Sequence, residues 1–299
     1  MGDDAYFEFG AISGRRSTVN ERLQYWLKPA MTLLFLGVLM WWAPAAALDL
    51  WGLLSPKKIV TMIFALALVH IFGSTMTQYL GARTSSILNG FFGGLVSSTA
   101  TTASLARRSK LSTSTDISDE ILIFLSATLA MLFEGVVLVV AGTTESHVSF
   151  LIVFVGPILV TITVIFLHSR NQKGRRGTVS SSTFKILPIL KLAAFIVAIL
   201  SVSKIFQTVF GKNGLLVLTG LVSLFEIHGS IIANIQLHES GVITVKFLCS
   251  LLAISIVASY LSKLFLISTL GSHLLRAYAF RITLLLFFSL ALSWAAAIV

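Results

Sequence analysis

The chain has 299 residues, 56% hydrophobic and 11% charged, with a mean hydropathy of +0.92. A soluble surface is normally about a quarter charged, so this balance excludes a soluble globular domain. The net charge of +10 falls mostly in short loops between apolar runs. That is the pattern set by anionic lipid and the positive-inside rule, so the expected partner is the lipid bilayer and not nucleic acid.

Apolar runs of spanning length (about 20 residues) recur along the whole chain and predict an all-α, polytopic transmembrane bundle of about nine helices. Residues 1–29 form a polar N-terminal segment of mixed charge, unlike a cleavable signal peptide. A leading element follows over 30–55. Its span, 30–53, is interrupted by Pro44 and is read as kinked, re-entrant or interfacial, with Trp41 and Trp42 at a headgroup boundary. Spans 58–81, 86–106, 120–142 and 148–168 make a first four-helix unit over 56–168. A basic loop, 169–185, carries Arg170, Lys173, Arg175 and Arg176. Spans 186–210, 213–237, 243–266 and 277–298 make a second four-helix unit over 186–299.

Two spans separate loops 107–120 and 169–185, so they share one side, read as the cytoplasmic face of an inner membrane. The turn Gly142 to His147 has Glu145 and no Lys or Arg, as an external loop should. Nine simple spans would put the basic N-terminal segment (Arg15, Arg16, Arg22, Lys28) outside, and its side stays open. Cys249, the single cysteine, excludes a disulfide framework within one chain.

The two units look alike. Leu80-Gly-Ala-Arg83 leads into Gly94-Leu-Val-Ser97, and Gly211-Lys-Asn-Gly214 leads into Gly220-Leu-Val-Ser223. Literal matching pairs Gly94 with Gly220, while aligning the turns shifts the match by about one helical turn. Four spans per unit predicts parallel repeats about an axis along the membrane normal.

The segment Gly93-Gly-Leu-Val-Ser-Ser-Thr-Ala-Thr-Thr-Ala-Ser-Leu-Ala-Arg-Arg-Ser109 resembles the signature of a bacterial membrane domain of unknown function that is often fused C-terminal to an MgtC/SapB domain. The resemblance runs from about Leu23 to the end. Where that family typically shows a Gly-Leu-Ala-Asp-x-Asp-Ala-like stretch, this chain reads Ser223-Leu-Phe-Glu226-Ile-His228-Gly-Ser230, and a family lysine is matched by Lys263. The resemblance implies a membrane-embedded fold and no particular activity; with Glu and His in place of the acidic pair, whether a metal binds is unknown.

The signature helix is rich in glycine and hydroxyls. Gly90, Gly94, Ser97, Thr101 and Ser104 recur at spacings of three and four and share one helix face. Gly90, Gly93, Gly94 and, in the second unit, Gly220 suit close helix packing, while Ser97, Ser98, Thr101 and Thr102 suit a polar path. Mid-span Glu226 is expensive in hydrocarbon unless paired or wet. With His228, Ser230 and Asn234 it completes the candidate substrate-binding set. His228 lies about 200° around the helix from Glu226, so the two are not expected to share a face. Glu134, His70 and Lys204 are candidates for coupling or gating, with a Glu134–Lys204 or Glu226–Lys204 pair in view. Lys263 is read as snorkelling.

No HExxH, Walker loop, CxxC or readable Ser–His–Asp order is present, so no catalytic residue, cofactor or enzyme activity is expected. The expected function is a permease or channel-like transporter of a small polar solute or ion, with proton coupling through the buried acids and histidines. The rival is a non-transporting scaffold or effector that homo-oligomerises through its small-residue helix.

Overall fold

The computed structural model describes residues 19–45, 55–80, 85–111, 116–144, 148–170 and 187–299. They form α1 (Val19–Trp42), α2 (Pro56–Leu80), α3 (Ser86–Leu111), α4 (Ser118–Gly142), α5 (Val148–Ser169), α6 (Leu187–Phe225), α7 (Ile227–Glu239), α8 (Val245–Leu270) and α9 (His273–Ile298). Six segments among the described residues are long and apolar enough to cross a membrane: Pro56–Tyr79, Ser118–Gly142, Val148–Ser169, Thr208–Phe225, Val245–Leu270 and His273–Ile298. The chain is therefore an all-helical, multi-pass membrane protein. Its most buried span is α4, wrapped by α2, α3, α5 and α7.

The leading element differs from its predicted bounds. The helix starts at Val19 and stops at Trp42, before Pro44, whose carbonyl accepts from the Lys57 amide at 3.3 Å. Proline disfavours helix in the residue before it, which ends α1 and turns the chain into α2. Residues 46–53 of the predicted span lie outside the described residues.

The largest departure is in α3. Ser97 has extended φ/ψ (−169°, 102°) inside this element, and its hydroxyl accepts from the Ala100 amide at 3.2 Å, capping the second arm. Gly93 and Thr101 would stand about 12 Å apart along a straight helix. Instead, a Cβ on Gly93 would lie 3.1 Å from Thr101 Oγ1. Both ends of α3 also meet the start of α4: Ser86 Oγ donates to Asp119 Oδ1 (2.6 Å) and Arg108 Nε donates to Glu120 Oε1 (3.2 Å). So α3 is a re-entrant hairpin (hairpin 1, arms 86–96 and 98–111), not the crossing predicted over 86–106. Glycine, serine and threonine hold a helix poorly, and their run from Gly93 to Ser104 is where it breaks.

A second hairpin replaces the crossing predicted over 213–237. Glu226 is extended (φ −147°, ψ 97°) between α6 and α7. Thr219 Oγ1 donates to Asn234 Oδ1 at 3.2 Å, although a continuous helix would separate them by about 22 Å. Hairpin 2 thus has arms 212–225 and 227–239. It is bounded by Gly211 (φ 60°) and Gly241 (φ 74°), whose left-handed conformations glycine adopts without a Cβ penalty.

The hairpins open toward opposite ends of the bundle. Hairpin 1 opens where α4 begins and α8 ends, since Ser109 Oγ accepts from the Ser272 amide at 3.1 Å. Hairpin 2 opens where α4 ends. There Glu239 pairs with Lys58 and accepts from the Thr144 amide (3.1 Å) and hydroxyl (2.7 Å). With hairpins in place of two of the predicted crossings, two units of four spanning helices are not seen among the described residues.

The Glu239 clamp is pH-sensitive. Burial alone would raise its carboxyl pKa, but hydrogen bonds from Lys58 and Thr144 outweigh this and hold it below the ordinary carboxylate range. A depressed folded pKa contributes stability that is present above the unfolded value, about 4.3, and lost as pH falls through the folded one. Glu239→Gln is therefore expected to lower the melting temperature in detergent by a few degrees (roughly 1 kcal/mol) at pH 7. The gap to the parent should close in acid below pH 4.

Candidate functional site

Glu134 lies near the middle of α4 and is 1% exposed. Its Oε1 is 3.2 Å from His70 Nε2 on α2, and its Oε2 is 3.0 Å from His228 Nε2 at the start of α7. These are ion-pair separations, but the angles are not those of aligned hydrogen bonds, and by that stricter measure both carboxylate oxygens are unsatisfied. The two rings meet edge to face, with centroids 6.3 Å apart. On its other side, His228 Nδ1 lies 3.1 Å from Glu226 Oε1, which also accepts from the His228 amide at 3.0 Å. The result is a continuous chain, His70–Glu134–His228–Glu226. It runs from α2 through the buried centre of α4 to the tip of hairpin 2, where the Glu226 side chain is 39% exposed.

The break at Glu226 makes this chain, and it overturns the expectation that Glu226 and His228 point apart. Glu226 is the cap of α7 instead of a residue within a helix, so its carboxylate folds over the first amides of α7 and onto the imidazole. An imidazole that donates from both nitrogens is the imidazolium, whereas the neutral ring donates from one. The His228 amide holds Glu226 Oε1 whatever the ring's state, so the ring proton bears on the ion pairing to Glu134 and Glu226.

Lys263 corrects another expectation. It does not snorkel but is 1% exposed, with Nζ donating to Ser259 Oγ (2.9 Å) and Met131 Sδ (2.8 Å). A lysine side chain leans toward its helix N-terminus, which turns this one inward from the last turns of α8.

The remaining predicted residues are held locally. Ser97 caps its own hairpin arm, and Thr102 Oγ1 donates to the carbonyl of buried Ser98 at 2.8 Å. Thr101 faces Gly93, and Ser104 is exposed, so the single polar face predicted along 90–104 is divided by the break. Ser230 Oγ lies 3.3 Å from Ser255 Oγ on α8, and Asn234 meets Thr219. None of these is hydrogen-bonded to the His–Glu chain among the described residues. The Lys204 side chain, and with it both pairs proposed for it, lies outside the described residues.

The four glycines predicted to serve packing separate into two kinds. A Cβ at Gly90 would meet Ile123 O at 2.6 Å, and one at Gly94 would meet Ala127 Cα at 2.6 Å, both backbone atoms of α4. Gly93 faces its own hairpin, and Gly220 has ordinary space, 3.6 Å from Ile254 Cγ2, so no tight contact depends on it. Among the described residues, no three His, Cys, Asp or Glu side chains are placed to hold a metal ion.

A buried His–Glu chain inside an all-helical bundle entered by two hairpins defines a multi-pass membrane protein with a polar centre. The chain belongs to the family of the domain of unknown function DUF4010, whose model matches residues 64–271. No curated protein and no solved structure matches it.

Proposed function

We propose that this protein is a proton-coupled secondary transporter of a small polar solute or ion, built as an inverted repeat. The observation that carries the reading is the pair of re-entrant hairpins opening toward opposite ends, one of them tipped by a carboxylate wired to a buried acid. Irregular backbone at membrane depth is tolerated only where it is buried in protein or lines a cavity, and transporter sites are typically formed at such broken helices.

In this reading the first unit is α2, hairpin 1, α4 and α5; the second is residues 187–210 of α6, hairpin 2, α8 and α9. Taking residues 187–210 as a crossing, and Thr208–Phe225 as mostly the first arm of hairpin 2 although it is long and apolar enough to span, gives three crossings per unit, which inverts the second relative to the first. Reciprocal packing supports this: hairpin 1 packs on α4 and on α8 of the other unit, hairpin 2 packs on α8 and on α4, and α5 packs on α9. The same reading puts the start of α1 on the side where hairpin 1 opens. With α1 ending beside the start of α2, the described helix ends at Val19, Leu111, Ser118, Ser169 and Leu187 all fall at the end where hairpin 1 opens. Arg108, Lys110 and Arg170, the described basic residues beside those ends, then share one side, read as the cytoplasmic side of an inner membrane.

Coupling is assigned to the chain itself. His70 and His228 exchange protons with Glu134, and Glu226 at the tip connects that chemistry to the entering solute. Protonation of His228 holds hairpin 2 on α4, and its loss frees one of the two carboxylates. In proteoliposomes with an imposed pH gradient, addition of the right member of a panel of amino acids, carboxylates and inorganic ions should collapse the gradient faster than in empty vesicles. If no member does so, and none is taken up, transport is excluded in favour of a scaffold.

A further inference from the structure

We infer that Lys263 is a stand-in counter-ion for Glu134, which takes over Oε2 of that carboxylate when hairpin 2 withdraws His228. The inference rests on the proposal that hairpin 2 moves. His70 faces Oε1 from α2, so withdrawal of α7 strips only Oε2, the oxygen 3.0 Å from His228 Nε2. A carboxylate 1% exposed in the centre of the bundle cannot be left with an open face at low cost. Any moving hairpin therefore needs a replacement cation inside the protein or brought by the solute.

Lys263 meets the requirements by position. Its ammonium is held by a thioether and a hydroxyl, two neutral acceptors, and no carboxylate lies within ion-pair distance among the described residues. A thioether is a weak acceptor, so this is a resting place and not a deep well. Met131 and Glu134 are three residues apart on α4, hence on one face and about one turn from each other. Rotation of the lysine tail along α4 carries Nζ from Met131 to Glu134.

The test is a double-mutant cycle read by melting of the full chain in detergent, which does not depend on finding a solute. His228→Ala mimics withdrawal. Lys263→Met should be tolerated in the parent, shifting the melting temperature by less than roughly 3 °C, because no anion loses its partner. In the His228→Ala background the same change should cost roughly 10 °C, and Glu134→Gln should restore most of that loss. Equal cost in both backgrounds, with no rescue by Glu134→Gln, overturns the inference. Should the double variant fail to fold, the structure of His228→Ala alone decides. Nζ within about 3 Å of Glu134 Oε2 supports the exchange, and Nζ still on Met131 and Ser259 overturns it. An additive cycle in a protein that transports removes this inference and leaves the transport reading. Non-additivity in a protein that moves no solute removes the transport reading alone.

Discussion

Glu134→Gln is expected to abolish proton-driven transport while leaving the fold in place. The amide keeps the size and most of the hydrogen-bonding capacity of the carboxylate, so the packing of α4 against α2 and α7 survives. It cannot bind or release a proton in the working range, and it offers no charge to His70, His228 or Lys263. Loss of a proton-relaying group typically costs 100-fold or more in the step it serves, and solute-dependent proton uptake should fall by at least about 100-fold. The melting temperature should stay within roughly 5 °C of the parent. The contrasting substitution is Glu226→Gln. It keeps an Oε1 that accepts from the His228 amide and ring but carries no charge, so it should weaken coupling without destroying it. Solute-dependent proton flux across a series of external pH values distinguishes the two. If Glu134→Gln transported with unchanged proton dependence, the His–Glu chain would not be the coupling element.

Gly94→Ala and Gly90→Ala should each be strongly destabilising. At both positions the added carbon would stand 2.6 Å from backbone atoms of α4, at Ala127 and Ile123, and a backbone cannot rotate aside as a side chain does. The first arm of hairpin 1 must shift off α4, at about 1–3 kcal/mol of overpacking or more. We expect the melting temperature to drop by roughly 5–10 °C, with less folded protein recovered from membranes. Gly220→Ala is the control: its Cβ would find Ile254 Cγ2 at 3.6 Å, an ordinary contact. Alanine is the better helix former by about 1 kcal/mol, so this variant should melt at or above the parent. Equal losses at Gly94 and Gly220 would mean that the two hairpins pack alike, contrary to the geometry described.

Much of this was legible in the residues. Hydropathy alone places the helices, because burial in lipid demands long apolar runs whatever their neighbours are. Glu134, His70, Glu226 and His228 stood out because an ionisable group at membrane depth is costly, and the structure gathers these four. What the sequence hid was the path of the backbone between them. Hairpin 1 left a trace, the run of glycine, serine and threonine around Ser97, but the same run also describes a small-residue packing seam. Hairpin 2 left almost none: Phe225-Glu-Ile-His228 holds no glycine or proline, and the break depends on Glu226 turning back to cap the arm that follows it. Reading a straight helix there sent Glu226 and His228 to opposite faces and made each unit one crossing too long. Lys263 was misread for a related reason. Its distance from the end of α8 allowed snorkelling, and only the contacts of Met131 on α4 with Ser259 and Lys263 on α8 show its ammonium turned inward.

The re-entrant path of the two hairpins underlies the inverted repeat and the hairpin movement that we propose. Single cysteines placed in a Cys249→Ser background test it directly, at Ser85 and Lys110 for the two ends of hairpin 1 and at Lys212 and Gly241 for hairpin 2. All four positions are exposed, and a membrane-impermeant maleimide applied to sealed vesicles of known orientation reports the side of each. The account predicts that Ser85→Cys and Lys110→Cys react from one side and Lys212→Cys and Gly241→Cys from the other. Reaction of Ser85→Cys and Lys110→Cys from opposite sides would make α3 a simple crossing and contradict the account.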